Sequence, residues 1–246
     1  MQLEGKHILL TGATRGIGRA LAAQLVHQGA KVLAVGRDRA ALAALSAELG
    51  PSVTTFGCDL ALAQEREQLI AAVGKGPLDG LINNAGIQVT ADLTFAQKER
   101  AFEITRETAI NFECPIHLCA ALLPVLAARP EALIVNLTSA LALTPKASAP
   151  VYCATKAGLR SFTTALRYQA RSACPQVAVT ECVMALVDTD MTRGRGRGKI
   201  TPERAAYALL DGVRKNRRVI WVGQTRLFGM IHRVAPSLAA RIVRGG

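Results

Sequence analysis

The sequence predicts an α/β fold, a doubly wound parallel sheet with helices on both faces. Three observations carry that prediction. Short apolar runs of strand length alternate with helix-length segments along most of the 246 residues. Such alternation implies right-handed crossovers between parallel strands. A glycine-rich turn, Thr11-Gly12-Ala13-Thr14-Arg15-Gly16-Ile17-Gly18, joins the first run to the first helix, and polar residues follow the ends of later runs. Ligands bind beyond the strand ends in sheets of this kind.

Lys6 to Leu10 is the first strand, and the helix after the glycine turn spans Arg19 to Gln28, stopped by Gly29. A glycine-rich passage from strand to helix lets backbone N–H groups approach a pyrophosphate, and the helix N-terminus adds positive potential. The second strand, Lys31 to Val35, ends in Gly36-Arg37-Asp38. A free ribose 2′-hydroxyl calls for an acid here, and a 2′-phosphate calls for arginine. Arg37, with Arg15 reaching the same corner, favours NADP(H) over NAD(H). Asp38 reads as the N-cap of a helix over Arg39 to Leu49.

The third strand, Val53 to Cys58, leads into Asp59 and Leu60, a pair placed either to touch an adenine or to cap the helix from Ala61 to Val73. The fourth, from Leu78, ends in Asn83-Asn84-Ala85-Gly86. A long helical region runs from Ala96 to about Ala128, contains Asn111 and is interrupted at Pro115 and Pro124. The fifth strand, Ala132 to Leu137, delivers Thr138 and Ser139, and a helix carrying Tyr152 and Lys156 follows. A sixth strand spans Gln176 to Val183, a basic glycine-broken loop spans Arg193 to Lys199, and a helix starts at Thr201-Pro202. Val219 to Val222 is the last strand. Residues 1–225 form one domain, and 226–246 form a basic amphipathic tail in which Leu227, Met230, Ile231, Val234, Leu238 and Ile242 recur at helical spacing. Arg226, Arg233 and Arg244 fall on an adjoining face, and Pro236 breaks or restarts the helix.

Half of the residues are hydrophobic, which excludes a disordered chain. No continuous apolar run reaches the ~20 residues of a membrane span, and the start leaves no room for a signal peptide. The six cysteines show no metal-ligand spacing, so no metal is expected. Reduced thiols and a cytoplasmic location follow. The net charge is +12, and from Leu186 onward 13 Arg and Lys stand against 4 Asp and Glu. That excess points to an anionic partner on one side of the molecule or to a solvated basic surface.

Tyr152 and Lys156 are the candidate chemistry. Four residues apart on a helix, phenol and ammonium share one face. A cation held beside a phenol favours its phenolate, which makes a usable proton donor at neutral pH.

The ordered set Thr11 to Gly18, Asp59, Asn83 to Gly86, Asn111, Ser139, Tyr152 with Lys156, and Val187 with Thr189 resembles the short-chain dehydrogenase/reductase family. Ser139 precedes Tyr152 by 13 residues, as in that family. The stretch Leu186 to Met191 and the tail resemble its bacterial branch named after teichoic-acid D-alanylation. The resemblance implies a seven-stranded Rossmann-type sheet and hydride transfer between a nicotinamide and a carbonyl or alcohol carbon. It implies Tyr152 as acid and base, Lys156 on the nicotinamide ribose, Ser139 on the substrate oxygen and Asn111 holding a relay water. It also implies a cofactor along Gly12, Thr14, Arg15, Gly16, Ile17, Gly18, Arg37, Asp59, Leu60, Asn84, Ala85, Gly86, Val187 and Thr189. Met184-Ala185 departs from the family's usual Pro-Gly at the end of the sixth strand.

The leading expectation is an NADP(H)-dependent carbonyl reductase acting on a small or anionic carbonyl or alcohol, as a homodimer or homotetramer. An idle NADP-binding protein that reports redox state is the competing class. The basic loop and tail lack the interleaved aromatics that nucleic-acid stacking needs, so no nucleic acid is expected. The tail's apolar stripe packs on the body or a sister subunit, or touches an anionic membrane.

Overall fold

The computed structural model describes residues 1–74, 76–90, 93, 100–194, 196 and 198–244, and of Arg244 the backbone alone. The expected helical start at Ala96, the loop residues Arg195 and Arg197, the side chain of Arg244 and the last two residues of the tail lie outside them.

Seven strands form one sheet in the order β3-β2-β1-β4-β5-β6-β7, every neighbouring pair parallel. They are β1 His7–Thr11, β2 Lys31–Gly36, β3 Val53–Gly57, β4 Gly80–Asn83, β5 Ala132–Ser139, β6 Val177–Met184 and β7 Val219–Trp221. The chain leaves β1 toward β2 on one side and returns at β4 on the other. This reversal opens a crevice at the C-terminal ends of β1 and β4, where ligands of doubly wound sheets bind.

Side chains of a buried parallel strand alternate between two apolar faces. Ile8 and Leu10 of β1 point into one core, shared with α1 (Gly16–His27), α2 (Arg39–Leu49) and α7 (Pro202–Arg214). Leu9 points into the other, shared with α3 (Ala63–Val73), α5 (Cys114–Ala127) and α6 (Pro150–Ala173). The expected helix over Arg19 to Gln28 starts earlier because the end of the glycine turn is already helical.

The long helical region is α4 (Arg100–Thr108), a π turn (Ala109–Glu113) and α5. Pro115 has no N–H to give the Asn111 carbonyl, and the extra residue of a π turn absorbs that missing bond. By length and composition Arg100–Ala127 could cross a membrane, where the sequence reading found no such span. Half of its most apolar window is buried, with Leu118, Leu122 and Leu126 packed in the core. All six cysteines are unpaired and buried. After β7 come α8 (Thr225–Val234) and α9 (Pro236–Arg244), with Pro236 opening the second.

Candidate active site

The crevice at the end of β1 encloses about 370 Å³, the scale of a small-molecule site. Gly12, Thr14, Arg15, Gly16, Ile17 and Gly18 form one wall. Two of these glycines have no alternative. Gly12 has φ +66°, and a Cβ there would lie 2.8 Å from Ala85 Cα. A Cβ on Gly18 would meet the Gly12 carbonyl at 1.9 Å. The turn can therefore lie flat against the end of β4 only as glycine. Thr11 Oγ1 accepts from the Asn84 and Ala85 N–H groups, both at 3.0 Å, and Asn84 Nδ2 donates to the Thr11 carbonyl at 2.9 Å. These bonds lock the Asn-Asn-Ala-Gly turn to the glycine turn. Arg15 precedes α1 without supplying a side-chain cap, which leaves the positive helix end suited to an anion.

Arg15 and Arg37 are exposed on the crevice rim, and neither is in an ion pair among the described residues. A Cβ on Gly36 would lie 2.9 Å from Thr14 Cγ2, so no acid could stand at position 36 without moving Thr14. Asp38 is spent on its helix, accepting from Ala41 N–H at 3.0 Å.

Asp59 and Leu60 line the crevice beside Arg106, a residue the sequence reading missed. Arg106 Nη2 donates to both Asp59 oxygens, at 3.0 and 2.9 Å, and Ala61 N–H donates to Asp59 Oδ1 at 3.1 Å. Burial pushes the Asp59 carboxyl upward, but these hydrogen bonds and the charges of Arg106 and Arg37 outweigh it and hold it below the usual range. The expected helix from Ala61 starts instead at Ala63 and has no side-chain cap, so Asp59 only ties down the turn ahead of it through Ala61 N–H while it binds the Arg106 cation. The Arg106–Asp59 pair spans 47 residues of sequence, and no local spacing announces it.

Gly86 links the crevice to the candidate catalytic side chains. A Cβ there would lie 3.3 Å from Asn111 Oδ1 and 3.6 Å from Lys156 Nζ. Asn111, fully buried, grips Ile87 from both sides: its Oδ1 accepts from Ile87 N–H at 2.9 Å, and its Nδ2 donates to the Ile87 carbonyl at 2.8 Å. Lys156 is 4% exposed, donates to the Leu137 carbonyl at 2.9 Å and lies 5.8 Å from the centre of the Tyr152 ring. Burial pulls its pKa down to about 8, against the opposing pull of Glu107. Glu107, 1% exposed, accepts from Val89 N–H at 3.2 Å, and its carboxyl is pushed up by burial. It stands one helical turn before Asn111, and the sequence reading did not single it out.

Ser139 ends β5, and its Oγ accepts from Leu141 N–H at 3.1 Å, capping a short 3₁₀ turn. The hydroxyl proton of such a cap is still available to donate. Behind it, Thr138 Oγ1 and Arg160 Nη1 converge on the buried Glu181 Oε1 at 2.7 and 2.8 Å. That knot fastens the helix of Tyr152 to β6. Thr189 closes the crevice from above, its methyl against Gly16. Val187 is buried under the same loop and accepts from Thr192 Oγ1 at 2.6 Å. The Ala185 methyl, in place of the family's glycine, comes within 3.0 Å of where Gly223 would carry a Cβ.

The crevice thus carries the glycine turn, Arg15, Arg37 and Gly86 on its walls, while Ser139, Tyr152 and Lys156 stand outside its lining, with Lys156 Nζ just behind Gly86. The model of the family described as short chain dehydrogenase matches residues 6–199.

The chain belongs to the short-chain dehydrogenase family.

Among relatives of this short-chain dehydrogenase, the uncharacterized oxidoreductase DltE of Bacillus subtilis (strain 168) is 38% identical over 229 residues, covering 89% of each chain. That match supports the likeness to the D-alanylation-named branch. A short chain dehydrogenase of Burkholderia cenocepacia J2315, solved in complex with NADP, superposes with a TM-score of 0.86 and 25% identity over 99% of both chains. A short chain dehydrogenase/reductase of Burkholderia phymatum, solved with NAD, shares the fold at a TM-score of 0.84 and 22% identity, over 95% of this chain and 96% of that one. The protein is an oxidoreductase of this family with a nicotinamide-dinucleotide fold.

Proposed function

We propose that this short-chain dehydrogenase is an NADP(H)-dependent reductase of a small carbonyl compound, with Tyr152 as general acid. The observation that carries the reading is the Tyr152–Lys156 pair, 5.8 Å from ring centre to ammonium, beyond Gly86 at the inner end of the crevice. The fit to the cofactor rests on the glycine turn that no Cβ could enter and on Arg15 and Arg37 at the rim. A bound reduced nicotinamide supplies the hydride. Its arrival at a carbonyl carbon puts negative charge on the oxygen, and Tyr152 gives that oxygen a proton. Ser139 donates its hydroxyl proton to the same oxygen and orients it. Lys156 holds its cation near the phenol and offers its remaining N–H groups to the cofactor ribose. Asn111, fixed by Ile87, holds a water on the proton path to Lys156. Arg15 and Arg37 would pair with a 2′-phosphate, and Thr189, which lines the crevice beside Gly16, would help hold the cofactor. The NADP complex of the Burkholderia cenocepacia relative agrees with that preference. The screen that tests the reading follows oxidation of NADPH and of NADH across small and anionic aldehydes and ketones. Turnover with NADPH supports it; NADPH binding without turnover of any carbonyl favours an idle redox reporter.

We further propose a cytoplasmic homodimer or homotetramer that pairs through the helices bearing Asn111 and Tyr152. In support, Tyr168 stands 64% exposed on α6, on a surface groove it shares with Ala157, Arg160, Ser161, Thr164 and Ala165. Light scattering of the unmodified protein and of Tyr168→Glu tests it, with loss of the oligomer expected in the variant.

A further inference from the structure

The outer face of the C-terminal helices serves neither the core nor the crevice. On α8, Leu227, Met230 and Val234 follow one another three and four residues apart and therefore share a face. They are 56%, 55% and 85% exposed. On α9, Leu238 and Ile242 stand one turn apart at 48% and 56% exposed. The opposite face of α8 is fastened to the body. Thr225 Oγ1 donates to the Val183 carbonyl at 3.3 Å, a Cβ on Gly229 would strike the Trp221 ring at 2.9 Å, and His232 Nδ1 meets Thr144 Oγ1 at 3.0 Å. Ala239 anchors α9 and is fully buried. The apolar stripe is thus held outward by fixed contacts on its other side.

Charge says what covers it. Arg226 and Arg233 are exposed and run along one edge of the α8 stripe, and exposed Arg241 sits between Leu238 and Ile242 on α9. After Asp211 the sequence holds eight Arg and Lys and no Asp or Glu. A two-fold contact between copies would set this face against itself. Arginine rims with no acid among them would then oppose one another. An anionic lipid surface meets both demands: acyl chains for the stripe and headgroups for the arginines.

We propose that α8 and α9 form a docking face for an anionic membrane surface, lying in the interface plane with Leu227, Met230, Val234, Leu238 and Ile242 toward the lipid. His232 and Thr144 connect this face to the segment that follows Ser139, so the docked protein would hold that side of the active site near the bilayer.

Flotation of the full chain with phosphatidylcholine vesicles, with and without phosphatidylglycerol, tests this. The protein is expected to float with the phosphatidylglycerol vesicles at low salt, to be released as salt rises, and to stay behind with phosphatidylcholine alone. Met230→Glu with Val234→Glu should abolish flotation while leaving the melting temperature and circular dichroism unchanged; Arg226→Glu with Arg233→Glu should do the same. Failure of the unmodified protein to float with the anionic vesicles overturns the proposal, as does undiminished flotation of the Met230/Val234 variant. A change of oligomeric state in that variant, with no flotation of the parent, makes the face a subunit contact instead. Binding of an acidic protein without flotation likewise overturns it.

Discussion

Lys156 Nζ donates to the carbonyl of Leu137 at 2.9 Å, two residues before Ser139 on the same strand. A single bond therefore ties the helix of Tyr152 to the strand that presents Ser139. It also keeps an ammonium in a fully buried position.

That burial has a pH signature. The folded pKa of Lys156, about 8, lies below its ordinary 10.5, so the unfolded chain binds the extra proton between those values. Stability then rises with pH across this window, because the folded state is relieved of a buried charge. Below about pH 8 both states are charged and the penalty is fully present. The melting temperature of the unmodified protein minus that of Lys156→Met, measured without cofactor, should increase from pH 7.5 to pH 10. A flat or falling difference would contradict the burial of a charged Lys156.

Cofactor preference should follow the rim arginines. Each charge-assisted hydrogen bond to a phosphate is worth about 1.5–3 kcal/mol. Arg37→Asp removes such a partner and adds a repelling charge, so the ratio of kcat/KM for NADPH over NADH should fall by about 10- to 100-fold. Steady-state kinetics with both cofactors give the ratio. Equal use of both by the unmodified protein would remove the basis for the preference.

Arg106→Met should act on binding alone. It strips Asp59 of the guanidinium that helps hold its carboxyl low, and the carboxyl then rises, with burial opposed only by the Ala61 N–H and the Arg37 charge. We expect KM for NADPH to rise while kcat stays within about twofold, a split that a loss of ground-state binding produces. A fall in kcat at unchanged KM would place Arg106 in the chemical step instead.

The Glu181 knot is a stability element. Glu181→Ala leaves Thr138 and part of Arg160 without their shared acceptor, and a lost buried partner of this kind costs about 1–3 kcal/mol. Urea unfolding measures it. A cost near zero would mean that water replaces the carboxylate.

Much of this was legible in the sequence because it is local. The glycine turn, the Asn-Asn-Ala-Gly turn and the Tyr152–Lys156 step each act within one or two turns of chain; the structure brings the two turns to one crevice and sets Lys156 behind Gly86. Alternating apolar runs announce strands for the same reason. Arg106, Glu107 and the Arg160–Glu181 pair were not legible. Their roles arise from side chains brought together across tens of residues, and on their own helices they look like ordinary charged positions. Pro115 signalled an interruption, but only the backbone bond from Cys114 N–H to the Ala109 carbonyl shows that a π turn lies ahead of it. The tail's stripe was visible as periodicity. Which side of it meets the body depended on Gly229 against Trp221.

The account turns on Tyr152 as the proton donor, and one variant isolates that proton. Tyr152→Phe keeps the ring and its packing and removes only the hydroxyl. NADPH binding, followed by nucleotide fluorescence, should be unchanged within about twofold, while kcat on a reducible carbonyl should fall by about 10²- to 10⁴-fold, the contribution of a general acid. A Tyr152→Phe protein that binds NADPH and reduces the carbonyl at the unmodified rate would contradict the mechanism.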